Sequence, residues 1–191
     1  MYGLIGKILR VNLTEGKITE EEIPEELVRK YLGGRGLASR YLFNEVKPGV
    51  DPLGPENKLI FMSGLLTGTQ YPSASRYSVV AKSPLTGLWG QASSGGYWGV
   101  DLKKSGFDGI IFEGISQTPV YLVIDNGKAE LRDAQELWGK NVFETTEILK
   151  EKLGKKSFVL SLFLMDISTL QLSIPSNSQK WQKISGFYVM Y

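Results

Sequence analysis

The 191-residue chain contains no cysteine and no histidine. These two residue types supply most protein ligands of zinc and of iron–sulfur clusters, and they supply many nucleophile–base pairs. Their absence excludes disulfides, cysteine-ligated zinc and any iron–sulfur cluster held by this chain alone. It leaves only Ser–Lys or Asp/Glu schemes for nucleophilic chemistry, and no spacing in the sequence singles out such a scheme.

The chain also lacks a large excess of charge of either sign and a long apolar run. Its 22 basic and 20 acidic residues are interspersed and give a formal net charge of +2, which argues against nucleic-acid binding. The N-terminus does not resemble a signal peptide, and the apolar run near residue 160 is too short to span a bilayer. We therefore expect a cytoplasmic protein that binds neither nucleic acid nor membrane.

What the chain does contain, 42% hydrophobic residues and 22 glycines, is typical of a globular domain with many turns. Hairpins are predicted over residues 4–23 and 120–132, the second because Asn126-Gly127 suits a type I′ turn. Buried strands are predicted at 58–64, 76–81 and 108–114, and helices from Pro24, at 37–46, at 97–105 and after Asn141. Because strands outnumber helices and hairpins join most of them, the pattern predicts an α+β fold.

The segment between residues 76 and 99 combines a strand pattern with a loop of small residues. Arg76 is predicted inside the apolar strand, where an unpaired charge would be costly, so it should pair with a carboxylate or an anion. The loop contains Ser93, Ser94, Gly95 and Gly96. These residues precede a predicted helix, and their hydroxyls and amides, together with the helix dipole, would suit a phosphate. A tight strand-to-helix turn explains the same loop without a ligand, and both interpretations remain open.

A second glycine cluster reads G-G-R-G at residues 33–36. It has neither the G-x-G-x-x-G spacing nor the Gly-Lys-Ser/Thr ending of known phosphate-binding loops. A corner between two helices, with Arg35 in solvent or paired, is the favoured interpretation. Aromatic residues near the first loop could stack on a flat ligand, although core packing is their commoner use. They are Tyr71, Tyr77, Trp89, Tyr97 and Trp98.

The composition of the chain changes near residue 157. The last 35 residues contain seven serines and only one of the 22 glycines, whereas the first 156 residues contain ten serines. A serine-rich extension with one strand would account for this change. The other hypothesis is a change of reading frame near Ser161 or Leu162. An uninterrupted frame in resequenced coding DNA, with no homologous continuation in another frame, would contradict that hypothesis.

Taken in order, the motifs of residues 1 to about 161 resemble one family. They read G-K-I-L-R-V-N-L-T, Y-L-G-G-R-G-L-A, V-D-P-L-G-P-E-N-K-L-I-F, S-R-Y-S-V-V-A-K-S-P-L-T-G, S-S-G-G-Y-W-G and L-K-K-S-G-F-D-G-I-I-F-E-G. This series resembles the N-terminal domain of tungsten-containing aldehyde ferredoxin oxidoreductases. The resemblance implies a β-rich α+β domain, with mostly antiparallel sheets and a few short helices. It further implies a parent enzyme that oxidises aldehydes to carboxylic acids and passes electrons through a 4Fe-4S cluster to ferredoxin.

The resemblance also implies the base of a cofactor site. In that family two pterins hold tungsten, and a magnesium ion bridges the pterin phosphates. Arg76 matches the cofactor-contacting arginine of the family. The segment Ser93, Ser94, Gly95 and Gly96 matches the one that contacts pterin and phosphate, where many relatives have Asn in place of Ser93. The Ser93 carbonyl, whose contact would survive that change, is the candidate magnesium ligand.

The resemblance ends at residue 161, where this chain reads L-F-L-M-D in place of the family's glycine-rich continuation and second cofactor loop. We predict a tungstopterin-base domain at 1–161 and a divergent tail at 162–191. A change of reading frame is one explanation of that tail. The chain lacks the cluster cysteines, so we expect it to be inactive by itself. The alternatives are a pterin-binding module without catalysis and a non-functional product whose exposed surfaces associate. The sequence does not decide whether the chain forms a homo-oligomer.

Overall fold

The computed structural model describes residues 3–154, 157–161 and 186–190. Within these ranges the chain forms ten strands and four α-helices. In chain order they are β1 Lys7–Asn12, β2 Lys17–Glu22, α1 Glu25–Tyr31, α2 Gly34–Glu45, β3 Lys58–Ser63, β4 Tyr77–Lys82, β5 Trp89–Ser94, α3 Trp98–Lys104, β6 Gly109–Glu113, β7 Val120–Asp125, β8 Lys128–Asp133, α4 Val142–Leu153, β9 Phe158–Ser161 and β10 Gly186–Met190. A short 3-10 helix, Gln135–Leu137, precedes α4.

The strands form a larger sheet with the order β2-β1-β6-β3-β4-β5 and a smaller sheet with the order β8-β7-β10-β9. Only the β1–β6 and β7–β10 pairs are parallel among the described strands. This arrangement confirms the predicted α+β fold with mostly antiparallel sheets. The predicted hairpin β7–β8 is also confirmed, with positive φ at both Asn126 (47°) and Gly127 (80°).

The smaller sheet repeats part of the larger one. In each sheet a hairpin supplies the first two strands, and its first strand pairs in parallel with a strand from later in the chain. That later strand then pairs antiparallel with the strand that follows the helices, β3 or β9. The larger sheet continues beyond β3 into β4 and β5, which have no counterpart in the described part of the smaller sheet. β10 comes from the predicted tail, and residues 162–185 of that tail lie outside the described residues.

The central strands of the larger sheet are largely buried on both faces because they alternate two sets of apolar side chains. On one face, Phe61 and Phe112 pack with α3 and the smaller sheet. On the other face, Ile60 and Met62 pack with α1 and α2. α4 begins with a capping box in which Asn141 and Glu144 exchange hydrogen bonds of 3.0 Å, as its sequence predicts.

An ion-pair network connects the last turn of α2 to the larger sheet. Glu45 accepts hydrogen bonds from Arg10, one of 3.0 Å, and lies 3.3 Å from the ammonium of Lys58. Both cations also pair with Glu113. Burial raises the pKa of Glu45, but the hydrogen bond and the charges of Arg10 and Lys58 outweigh burial, so this pKa lies below its ordinary value.

The lowered pKa of Glu45 makes the stability of the fold sensitive to acid. The ionised carboxylate stabilises the folded state above the unfolded pKa, about 4.3, and this contribution is lost as the pH falls through the folded pKa. We expect Glu45→Gln to lose less unfolding free energy than the wild type between neutral pH and about pH 3. Urea denaturation at both pH values measures this. Glu26→Gln, at an exposed site, should behave like the wild type, and an unchanged acid loss in Glu45→Gln would contradict the expectation.

Candidate functional site

The candidate residues meet at one end of the β4–β5 pair. Tyr77 pairs with Ser94, so Arg76 and Gly95 leave the sheet side by side. A Cβ atom built on Gly95 would lie 3.6 Å from the hydroxyl of Ser75, which shows how closely the two segments run. We call this the strand-end surface. It consists of Arg76, Ser93, Ser94, Gly95 and Gly96, of which all but the partly buried Gly95 are exposed.

Arg76 differs from its predicted position. It lies one residue before β4 and is exposed, so the cost of burying a charge does not apply to it. Its backbone is nevertheless well held, because its carbonyl accepts hydrogen bonds from Gly64 N (3.1 Å) and Thr67 Oγ1 (2.6 Å). Its side chain makes no ion pair with any residue that the structure describes. The guanidinium is therefore available to an anionic ligand.

The serine–glycine segment also differs from the predicted loop. Ser93 and Ser94 are the last residues of β5, and only residues 95–97 connect that strand to α3. The amides of Gly95 and Gly96 have no hydrogen-bond partner within the described ranges, and Gly96 has a φ of 84°, which favours glycine. Because α3 has only seven residues, its dipole adds little, and the available donors are hydroxyls and amides.

Two of the five aromatic residues form the floor of this surface. The Trp98 ring lies 4.7 Å from the ring of Tyr77 and 5.5 Å from that of Phe61, and Trp98 is 6% exposed. These residues are core residues, as the commoner use of aromatics predicts. Tyr71 and Tyr97 are exposed, whereas Trp89 lies at the opposite end of β5 from the strand-end surface.

The G-G-R-G cluster is a helix corner, as predicted. α1 ends at Tyr31 and α2 begins at Gly34, while Arg35 is exposed. A Cβ atom on Gly33 would lie 3.1 Å from Leu65 N, so the glycine permits close packing of the corner on the β3–β4 connection. This corner supports the connection that ends in Arg76.

Sequence reasoning missed a buried ion pair beneath the strand-end surface. Lys103 of α3 and Asp108, just before β6, lie 3.3 Å apart, and their side chains are 6% and 5% exposed. Burial lowers the pKa of Lys103 from its ordinary value, and the Asp108 carboxylate opposes this shift. The only signal in the sequence was the position of both residues inside a family-like motif, L-K-K-S-G-F-D-G.

A groove of about 730 Å³ lies at the other end of β4 and β5. Its walls are largely apolar and include Val79, Ala81, Phe112 and Trp138. No residue of the strand-end surface lines it. This groove is therefore separate from the candidate site.

Two other kinds of site are not found in the described ranges. No group of three or more His, Cys, Asp or Glu residues there could hold a metal ion. No helix of that part of the chain has the length and apolar character needed to cross a bilayer.

Comparison with known proteins decides the family. The family described as "Aldehyde ferredoxin oxidoreductase, N-terminal domain" matches residues 8–162. This chain belongs to that family. It is 54% identical over 156 residues to "Tungsten-containing aldehyde ferredoxin oxidoreductase" of Pyrococcus abyssi and 53% identical over 154 residues to the protein of that name in Thermococcus kodakarensis. The alignments cover 82% and 81% of this chain but 26% of each relative, so the chain spans about a quarter of their length.

Two proteins named for other reactions also match this chain. The chain is 42% identical over 160 residues to "Aliphatic sulfonate oxidoreductase, WOR-like subunit" of Pyrococcus furiosus, covering 82% of this chain and 25% of that protein. A solved structure, "Active site complex BamBC of Benzoyl Coenzyme A reductase in complex with 1,5 Dienoyl-CoA", matches with a TM-score of 0.83 and 41% identity. That match covers 85% of this chain and 25% of the other. The resemblance stated from the motifs and the predicted fold are both confirmed.

Proposed function

We propose that this chain is the cofactor-binding base of a tungsten-containing aldehyde ferredoxin oxidoreductase. The observation that carries the proposal is the strand-end surface, where Arg76 and the Ser93–Gly96 segment meet within the matched residues. Two relatives are named as tungsten-containing enzymes, which supports a tungsten–pterin cofactor for this chain. The same surface would serve one pterin of a bis-pterin cofactor.

The donors of the strand-end surface fit a phosphorylated ligand. They are a guanidinium, the two glycine amides and one serine hydroxyl on each face of β5, since Ser93 and Ser94 are consecutive strand residues, and all of these groups stabilise negative charge. Gln91 Nε2 donates to Ser93 Oγ at 2.5 Å, so the hydroxyl proton of Ser93 can still be given to a ligand. A Cβ atom on Gly96 would meet nothing within 4 Å, so a ligand can approach its backbone. The Ser93 carbonyl is our candidate ligand for a magnesium ion on the pterin phosphates.

When bound, the tungsten cofactor would supply the two-electron oxidation of an aldehyde to a carboxylic acid. The residues of this chain would bind and orient it: Arg76 and the glycine amides would hold phosphate. The chain has no cysteine, so the ligands of a 4Fe-4S cluster and the route to ferredoxin would come from outside it. We therefore propose that the chain is catalytically inactive when it is alone. We also propose that it is cytoplasmic, with a native domain at 1–161 and a divergent tail at 162–191.

A chimaera tests this proposal. The 156 matched residues would replace the corresponding segment of the Pyrococcus abyssi enzyme, with that enzyme itself as the control. We expect the chimaera to retain tungsten and pterin, measured by mass spectrometry and pterin fluorescence, and to reduce benzyl viologen with an aldehyde. A folded chimaera without tungsten would contradict the proposal. Aldehyde turnover by the purified 191-residue chain would contradict its predicted inactivity.

A further inference from the structure

We propose that Lys103 is a positioning residue that locks together the two arms of the strand-end surface. One arm is the β3–β4 connection, which ends in Arg76. The other is the turn of Gly95 and Gly96 with α3, which follows it. The proposal rests on the proposed function for its consequence, cofactor retention, but its structural part can be tested without any cofactor.

The ammonium of Lys103 reaches out of α3 to the first arm. It donates a hydrogen bond of 3.0 Å to the Leu65 carbonyl and another to the Gly3 carbonyl. A buried ammonium without such partners would be strongly unfavourable, so these bonds fix the side chain in one place. Through Leu65, α3 is tied to the start of the β3–β4 connection.

The start of that connection in turn holds its end. Gly64 N and Thr67 Oγ1 both donate to the Arg76 carbonyl, and Gly68 N donates to the Ala74 carbonyl at 3.1 Å. Because these bonds close the connection on itself, the position of Leu65 sets the position of Arg76. Lys103 therefore acts on Arg76 in two steps, through its bond to Leu65 and through the bonds of Gly64 and Thr67 to the Arg76 carbonyl, without touching the ligand surface.

The second arm is fixed by the same helix. A Cβ atom on Gly99 of α3 would lie 3.2 Å from Tyr77 Cδ1, so α3 packs directly on the first residue of β4. Gly95 and Gly96 lie just before this helix, so a shift of α3 would move their amides relative to Arg76. The β4–β5 pairing brings the two arms together, and Lys103 holds α3, which follows the glycine amides, against the arm that ends in Arg76.

Asp108 keeps Lys103 in this position. Its Oδ2 accepts hydrogen bonds from the amides of Ile5 (2.9 Å) and Gly6 (2.6 Å), while Oδ1 faces the ammonium. Its backbone carbonyl accepts from Ser63 N (2.8 Å) and Ser63 Oγ (2.7 Å) at the end of β3. The carboxylate is therefore immobilised by other segments before it meets Lys103.

Lys58 provides a matched control. Its side chain is 13% exposed, more than that of Lys103 but still mostly out of solvent, and it pairs with Glu45 and Glu113. It lies at the opposite end of β3 and contacts neither arm of the strand-end surface. Replacement of either lysine by methionine removes a buried charge from an ion pair, but only the change at Lys103 should release the two arms.

Hydrogen exchange of the 191-residue chain, measured by mass spectrometry, tests the structural part. In Lys103→Met we expect exchange in segments 64–76 and 101–107, which contain hydrogen-bonded amides in the wild type, to rise on the order of tenfold, with little change in β1 and β2. In Lys58→Met the two arms should exchange as in the wild type. Uniform acceleration by both variants, or unchanged arms in Lys103→Met, would overturn the proposal. If Lys103→Met does not fold, Asp108→Asn should show the same local pattern more weakly.

The chimaera tests the consequence. We expect the chimaera with Lys103→Met to lose tungsten about tenfold faster on dialysis than the chimaera with Lys58→Met, because the donors of the strand-end surface no longer converge. The two variants are compared under conditions in which their unfolding free energies are equal. Equal loss rates would overturn the role of Lys103 in cofactor retention. Hydrogen exchange could show that Lys103→Met releases the two arms, while the chimaera that keeps Lys103 never binds tungsten. That pair of results would contradict the proposed function and would still support the positioning role.

Discussion

Arg76→Gln in the chimaera is expected to weaken cofactor retention by roughly 10- to 150-fold. A hydrogen bond to a charged group contributes about 1.5–3 kcal/mol, and each 1.4 kcal/mol is about a tenfold change in affinity. The guanidinium is exposed and makes no ion pair within the described ranges, so its loss should leave the fold intact. Tungsten content per folded protein, after dialysis, measures the effect.

Two further variants make the Arg76 experiment specific. Arg76→Lys keeps the positive charge but loses the planar, bidentate hydrogen-bond donor of the guanidinium, so it should retain more tungsten than Arg76→Gln and less than the wild type. Arg29→Gln also removes an exposed guanidinium, one that pairs with Glu25 on α1, far along the chain from β4. It should retain tungsten normally. Wild-type retention in Arg76→Gln would show that the strand-end surface does not hold the cofactor.

Local turn chemistry made parts of the fold predictable. The β7–β8 hairpin follows from Asn126-Gly127, because few residues accept the two positive φ angles of its turn. The start of α4 follows from Asn141 and Glu144, which satisfy each other's backbone amides. In both cases the decisive interactions join residues within a few positions of each other, so the sequence pattern contains them.

The limits of the strands could not be read in the same way. Arg76 directly precedes the apolar residues of β4, but the pairing of β4 with β5 begins only at Tyr77 and Ser94, so Arg76 lies outside the strand. β5 has no alternation of apolar and polar residues, and it is a strand because β4 pairs with it along its whole length. Such long-range pairing is invisible to a local pattern.

Lys103 was missed for a related reason. Lysine is almost never buried unless it is paired, so a lysine in a short helix is expected in solvent. Its partners are the carbonyls of Gly3 and Leu65 and the carboxylate of Asp108, and the first two are distant in sequence. Only the folded chain collects these oxygens around one ammonium. The candidate cofactor-binding residues were thus evident from sequence motifs, whereas the residue that we propose to position them was evident only from the structure.

Phe61→Ala is expected to cost about 3–5 kcal/mol of unfolding free energy, the usual range for a buried Phe replaced by Ala. Phe61 is 0% exposed at the centre of the larger sheet, with its ring 5.5 Å from that of Trp98 and 6.0 Å from that of Phe112. The change would leave a cavity beneath α3. Urea denaturation measures the loss, and Phe43→Ala, at a residue that is 84% exposed, should cost little. A loss as small as that of Phe43→Ala would contradict the core position of Phe61.

Phe61→Leu separates the two sources of this loss. Leucine keeps much of the apolar volume but removes the edge-to-face contact with Phe112 and the tilted contact with Trp98. If the cavity dominates, Phe61→Leu should recover most of the stability of the wild type. Because Trp98 opens α3 directly after the glycine turn, its near-UV circular dichroism reports whether the floor of the strand-end surface has moved. A weaker signal in Phe61→Ala than in Phe61→Leu is expected, since only the alanine leaves that floor unsupported.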